Sequence, residues 1–386
     1  MHIAIFTNNY LPNPYGVTNS IESFRQELEA MGHEVYIFAP AWKNYTDINP
    51  QVFRYPAVDI KFKFKFPLPF PYSRRMDAIL EKLDIDIIHS QHPNLLGSAA
   101  RRWAQKKNIP LVFTWHTLYD QYVHFVPFVP HKFAAWWAIR NARKYANKCD
   151  QVIVPTQSIV KIICDWGVQN KNIMAIATGV EENKYADADR NLVRKKYGIR
   201  DQEIMLLLVS RLTDEKNIQF LFRSVSAILK SNSQVKFMVV GGGYLLPELQ
   251  KLSLNQGLKK QIFFTEIIAK EEIKNYYAAG DIFVHASKSE TQGMILTEAM
   301  FMGLPIVAVS ATGACDLVEN NQTGFLVAEN EREFAQAVEE LISNKELRKK
   351  FALRSVAIAR EKYTAQVCAK KMLDVYRDVI GRNREK

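Results

Sequence analysis

Short apolar runs recur along this chain with helical patterns between them, and the series starts twice. The first series occupies residues 2–7, 35–39, 85–89, 111–114 and 151–155, and the second 204–210, 236–241, 262–265, 282–285 and 305–309. Runs that lack strict polar alternation are what strands covered on both faces show, and strands alternating with helices give a doubly wound α/β fold. A chain of 386 residues exceeds what one hydrophobic core organises. Two Rossmann-like domains are therefore expected, 1–180 and 181–363, joined by the polar stretch 179–190. A last helix within 364–386 is expected to pack back on the first domain. Two such domains facing each other leave a cleft at the carboxyl ends of their strands, where ligands of open α/β sheets bind.

With 48% hydrophobic and 24% charged residues the chain has a globular composition, which excludes a disordered protein. No apolar run, 204–209 included, comes near the length needed to span a bilayer, and no basic leader precedes the first run, so a cytoplasmic location is expected. Cys149, Cys164, Cys315 and Cys368 form no C-x-x-C pair, which suits reduced, buried thiols better than a disulfide frame or a zinc site. The net charge of +11 asks for an anionic partner. Lys61, Lys63, Lys65, Arg74 and Arg75 lie in one acid-free segment, and His131, Lys132, Arg140, Arg143, Lys144 and Lys148 surround Phe133, Trp136 and Trp137. Cations beside exposed aromatic rings suit an anionic membrane surface. The Lys-Phe alternation from Lys61 to Phe66 equally suits a half-buried edge strand. No nucleic-acid-binding module is visible, so nucleic acid is not an expected partner.

The chemistry concentrates in the second half. A strand and loop from Asp281 to Gly293 lead into a helix carrying Met294, Ile295 and Glu298. A helix opening there aims unpaired amides at an anion such as a phosphate. Glu290 lies in the loop, and Glu298, one and a half turns into the helix, leans back towards its start. Two carboxylates at an anion site are best used to accept hydrogen bonds from hydroxyls, Glu298 from a ribose and Glu290 from a sugar. Arg211 and Lys216, in the segment Ser210-Arg-Leu-Thr-Asp-Glu-Lys216, supply charge for a diphosphate, so neither metal nor further cofactor is required. Gly241-Gly-Gly243 is either a tight turn or a phosphate loop. Asp84-Ile-Asp86 spells D-x-D but leads into a strand, where a turn is expected. His89 and His92 lack a carboxylate partner and make a poor metal site.

These features together resemble the family-4 GT-B retaining glycosyltransferases. The resemblance covers nearly the whole chain: Pro14-Tyr-Gly16 after the first strand, Gly32-His-Glu-Val35, Arg211 with Lys216, Gly241-Gly-Gly243, Glu290-x7-Glu298 ahead of Ala299-Met300-x-x-Gly303-x-Pro305, then Gly313 and Gly324. It implies the GT-B fold and metal-independent transfer of a hexose from a nucleotide sugar by front-face attack, with retention. In that scheme Arg211 and Lys216 hold the diphosphate, while Gly293, Met294 and Ile295 form the donor-binding helix start. Glu298 takes the ribose and Glu290 the transferred sugar. Gly16 allows close approach of the first loop, and His116 is the active-site histidine.

The segments from Phe113 to His124 and from Ile88 to Gly97 look like the diacylglycerol glucosyltransferase branch. That branch implies UDP-glucose as donor, a lipid acceptor met at the cytoplasmic membrane face, and His92, Tyr119, Asp120 and His124 on the acceptor side. Two positions depart from the family pattern: Thr265-Glu266 replaces a glycine before the base-contacting loop, and Asp316 stands where a glutamate is common. Other readings of the residues are a transferase with a soluble or cell-envelope acceptor, a nucleotide-sugar epimerase, and a silent nucleotide-sugar-binding protein. A nicotinamide oxidoreductase is disfavoured because residues 7–16 lack G-x-G-x-x-G. No oligomeric state is implied.

Overall fold

A computed structural model of the chain describes residues 1–13, 16–61, 65–121 and 130–385. Pro14, Tyr15, Lys63 and His124 lie outside the described residues, as do the side chains of Lys61 and Lys65. The chain divides into two compact units, Met1–Gly179 with Ala365–Lys386, and Val180–Thr364.

The first unit contains strands β1 (His2–Phe6), β2 (Glu34–Pro40), β3 (Val52–Tyr55), β4 (Ala57–Lys61), β5 (Lys65–Pro69), β6 (Ile87–Ser90), β7 (Leu111–Thr114), β8 (Gln151–Val154) and β9 (Ile173–Ala175). Its helices before the second unit are α1 (Gly16–Ala30), α2 (Arg74–Lys82), α3 (Leu96–Lys107), α4 (His131–Ala146) and α5 (Gln157–Asp165). Seven strands form a parallel sheet in the order β3-β2-β1-β6-β7-β8-β9. Alternation along β1 shows why the sheet reads as unbroken apolar runs. Ile3 and Ile5 join a core with Ile21, Phe24 and Leu28 of α1, whereas Ala4 and Phe6 face Phe38, Met76, Leu80 and Leu96 on the other side.

The second unit contains α6 (Arg190–Tyr197), β10 (Ile204–Val209), α7 (Ile218–Ser231), β11 (Val235–Val240), α8 (Leu246–Asn255), β12 (Ile262–Phe264), α9 (Ile273–Ala279) and β13 (Ile282–His285). It continues through α10 (Met294–Phe301), β14 (Ile306–Val309), α11 (Ala314–Leu317), β15 (Gly324–Val327), α12 (Glu331–Ser343) and α13 (Lys345–Lys362). Its sheet is parallel, in the order β12-β11-β10-β13-β14-β15. The chain winds outwards from β10 to β12 and returns through α9 to β13 on the other side of β10. At that reversal the loops after β10 and β13 part and leave a crevice at the strand ends. A final helix, α14 (Ala365–Arg384), rejoins the first unit, packing on α1 with Met372, Leu373, Tyr376 and Val379 in its core.

Several expectations need correction. The apolar runs omit β3, β9 and β15, which are edge strands with mostly half-buried residues and so carry no continuous apolar signal. Of the Lys-Phe alternation, Lys61 ends β4 and Lys65 and Phe66 open β5, two strands that pair with each other antiparallel in a sheet of their own, and residues 62–64 lie outside the described residues. None of the four cysteines is joined in a disulfide, but only Cys149 and Cys368 are buried; Cys164 and Cys315 are exposed. Asp86 behaves as expected of a turn, its Oδ2 accepting the His2 N–H at 2.8 Å and tying the start of β1 to the approach to β6. Among the described residues no helix is long and apolar enough to cross a membrane.

Candidate active site

The reversal in the second sheet brings together residues far apart in sequence. Lys216 follows β10, Glu290 follows β13, and Lys216 Nζ lies 2.5 Å from Glu290 Oε1 with side-chain exposures of 9% and 16%. Burial by itself pushes the Glu290 carboxyl up. The Lys216 charge, helped by His285 and by hydrogen bonds from Lys216 and Ser287, outweighs it and holds the pKa at about 2. The group is therefore a carboxylate at neutral pH.

Gly313 makes this geometry possible. Its φ of +81° suits glycine, and a Cβ there would stand 2.9 Å from the Glu290 Cβ and 3.0 Å from the Glu290 and Gln292 carbonyl oxygens.

Helix α10 opens directly after Gly293, with Met294 and Ile295 half-buried in its first turn. Amides of a first turn have no partner within the helix and point at whatever sits beyond it. Glu298 is held from below: Tyr277 Oη donates to its Oε2 at 2.7 Å, and Tyr185 donates as well. Burial raises its pKa despite those two phenols.

On the β10 side Arg211 is 46% exposed, and its Nη2 sits 3.4 Å from Oε1 of Glu215, whose side chain is only 5% exposed. The two carboxylate oxygens of Glu215 have no hydrogen-bond partner among the described residues, which leaves the guanidinium as their counter-charge, while the Glu215 carbonyl accepts from Ser289 Oγ at 3.2 Å.

The Gly241-Gly-Gly243 turn packs against this loop. A Cβ on Gly241 would meet Ser210 O at 2.0 Å, and one on Gly243 would meet Leu212 O at 2.3 Å. Its glycines thus make room for the loop that carries Arg211. Glu266 takes a left-handed backbone conformation of the kind that favours glycine, with φ +59°, and its carbonyl accepts the Gly241 N–H at 3.0 Å.

In the first unit, neighbouring β6 and β7 place Gln91 and His116 side by side, with Gln91 Oε1 2.6 Å from His116 Nε2. Burial, with smaller contributions from His92 and His89, pushes the His116 imidazole down to about 3. His92 Nδ1 accepts the Asn8 N–H at 3.1 Å, so Nε2 carries the ring hydrogen when His92 is neutral. His89 is a packing residue, bonded to Tyr376 Oη at 2.6 Å and Thr114 Oγ1 at 2.7 Å.

The remaining acceptor-side candidates are less concentrated. Tyr119 is half-buried with its ring edge-on to Trp115. Asp120 is exposed, and its carboxylate accepts from the Gln121 side chain rather than from His116. Gly16 begins α1 in the open, where a Cβ would meet nothing within 4 Å, so the unit's own packing does not demand a glycine. On α4, Phe133, Trp136 and Trp137 are exposed, and Arg140 lies over the Trp136 ring at 5.5 Å.

Sequence reasoning missed Gln91, Tyr185, Tyr277, Glu215 and His285. His285 is buried beside the Lys216–Glu290 pair, with both ring nitrogens lacking a hydrogen-bond partner among the described residues. Its one signal in the sequence is a polar residue closing the apolar run 282–285.

Residues 189–355 match the family model Glycosyl transferases group 1, and residues 14–184 match Glycosyltransferase Family 4. An alpha-monoglucosyldiacylglycerol synthase of Streptococcus pneumoniae is 32% identical over 84% of this chain and 75% of its own. One of Acholeplasma laidlawii is 30% identical over 100% of this chain and 99% of its own. A GDP-mannose-dependent alpha-mannosyltransferase of Corynebacterium glutamicum is 27% identical over 85% of this chain and 76% of its own. Among solved structures, Anabaena HepE in complex with UDP and glucose aligns at a TM-score of 0.78 and 19% identity, over 98% of this chain and 100% of HepE.

Proposed function

Since the chain belongs to family 4 of the glycosyltransferases, with two Rossmann-like units of the GT-B kind, we propose that it moves glucose from UDP-glucose onto a membrane lipid such as diacylglycerol, with retention. The observation that carries the lipid acceptor is the full-length likeness to the Acholeplasma laidlawii synthase. The exposed Phe133, Trp136 and Trp137 beside Arg140 support it, since aromatic rings and cations on one helix suit the headgroup region of an anionic leaflet. The protein then works as a peripheral protein at the membrane surface.

In this reading Arg211 and Lys216 offset the charge that gathers on the diphosphate as the glycosidic bond breaks, together with the first amides of α10. Glu298, oriented by its two phenols, accepts from the ribose, and Glu290 accepts from a hydroxyl of the transferred sugar. His116 positions that sugar, Gly16 leaves room for close approach, and His92 and Tyr119 are the acceptor-side candidates that face burial. The departing phosphate oxygen takes the acceptor's proton, so no protein base and no metal is required.

The test is a transfer assay with UDP-glucose and GDP-mannose, each against diacylglycerol in anionic vesicles and against soluble acceptors, with and without EDTA. A glucosyl lipid of unchanged anomeric configuration, formed in EDTA, is expected. Product only on soluble acceptors would remove the lipid reading, and loss in EDTA with rescue by Mg²⁺ or Mn²⁺ would remove the metal-free one. A mannosyl product would favour the second donor reading, which rests on the Corynebacterium glutamicum relative.

A further inference from the structure

His89 and Gln91 are two residues apart at the end of β6, and Thr114 and His116 are two apart at the end of β7. Alternation puts all four side chains on one face, where they line a narrow crevice together with Met372 and Tyr376 of α14. Each imidazole in this crevice is engaged differently. His89 spends both nitrogens on hydroxyls, one of them from α14. His116 engages Nε2 with Gln91 Oε1 at 2.6 Å. Burial keeps the His116 ring neutral, so it carries one N–H. An amide oxygen only accepts, which places that hydrogen on Nε2 and leaves a lone pair on Nδ1.

We infer that Gln91 is a positioning residue for His116: by accepting from Nε2 it fixes the tautomer, so that His116 offers its ligand an acceptor at Nδ1. His116 thus recognises a hydroxyl that donates to it, as the hydroxyls of a sugar do, and does not donate to a ring or phosphate oxygen. The inference rests on the proposed placement of His116 at the transferred sugar.

The experiment uses full-length protein labelled with ¹⁵N-histidine, in which long-range ¹H–¹⁵N correlations near neutral pH tell an Nε2–H ring from an Nδ1–H ring. Loss of one signal set in His116→Asn assigns the residue. His116 is expected as Nε2–H in the wild type and as a tautomer mixture in Gln91→Leu. In Gln91→Leu kcat is expected to fall about ten- to hundredfold while the donor KM holds, as when a partner that orients a working imidazole is lost. Gln91→Glu, whose carboxylate oxygen accepts where the Gln91 Oε1 does, is expected to recover most of that loss.

A wild-type Nδ1–H ring would overturn the inference, and so would a Gln91→Leu protein that keeps both tautomer and kcat. The wild-type spectrum decides even where Gln91→Leu does not fold. Undiminished turnover in His116→Asn would instead remove His116 from the transfer site, a failure separate from that of the tautomer.

Discussion

Lys216 Nζ stands 2.5 Å from Glu290 Oε1 across 74 positions of sequence, and the pair exists because β10 and β13 are neighbours in the sheet while their following loops diverge. A cation held by a buried carboxylate is preorganised: it is already desolvated and fixed when a diphosphate arrives.

Replacing either cation tests that arrangement. Lys216→Ala and Arg211→Ala are each expected to lower kcat about 10²–10³-fold, with a smaller effect on donor affinity, because the charge matters most as the leaving group ionises. Lys216→Ala also leaves Glu290 buried without its cation and is expected to destabilise the protein by about 3 kcal/mol. Steady-state kinetics and urea unfolding measure the two effects; near-normal turnover in both variants would dismiss the diphosphate clamp.

His116, half-buried beside Gln91, makes a prediction about pH. Its pKa in the folded protein, about 3, lies below the ordinary 6.5, so the ring is neutral throughout the working range. The pH profile of kcat should therefore show no inflection from His116 between roughly pH 5 and 8, where an unperturbed histidine titrates. The same depression means that the stability gained from the neutral ring is complete above pH 6.5 and is lost as pH falls from there through about 3. A wild-type inflection near 6.5 that disappears in His116→Asn would show the ring to be a titrating acid or base.

Glu266 holds a left-handed conformation that side chains other than glycine adopt with strain. Glu266→Gly should relieve it and raise stability by about 1 kcal/mol, less the backbone freedom that glycine adds to the unfolded chain. A shift of the urea midpoint to lower concentration would mean that the Glu266 side chain contributes more than the strain takes away.

The aromatic face of α4 should bind anionic vesicles more tightly than neutral ones, and added salt should weaken the contact. Arg140→Gln is expected to lower binding about fivefold, which corresponds to ~1 kcal/mol per cation at an anionic surface. Replacing Trp136 and Trp137 with Ala should lower it on vesicles of either charge. Co-sedimentation reads both, and unchanged pelleting in all three substitutions would clear α4 of a membrane role.

What the sequence discloses depends on whether a residue's role is set locally or by strand order. The central strands announce themselves as apolar runs because both faces of each sheet are covered, and the start of α10 after Gly293 follows from local backbone preference. Glu290, Glu298, Arg211 and Lys216 stand out because their spacing within two short segments is itself a pattern. Gln91 and His116 are 25 residues apart and meet only through the adjacency of β6 and β7, which no local signal encodes. Tyr185 and Tyr277 reach Glu298 from separate elements for the same reason. Asp120 is near His116 in sequence, yet its exposed carboxylate accepts from the Gln121 side chain, a placement that sequence distance alone does not disclose.

The placement of α14 sets an order of events during synthesis. Its Met372, Leu373, Tyr376 and Val379 complete the core formed with α1 and β1, yet a ribosome must translate all of Val180–Thr364 before α14 emerges. The second unit, continuous in sequence, can close while the first still exposes one face of its sheet, reversing the usual progression from the amino terminus. Until then His89 lacks the Tyr376 hydroxyl that saturates its ring. A chain released without residues 365–386 would thus display a finished second unit and an unsealed first one, a substrate for chaperones that hold apolar surface.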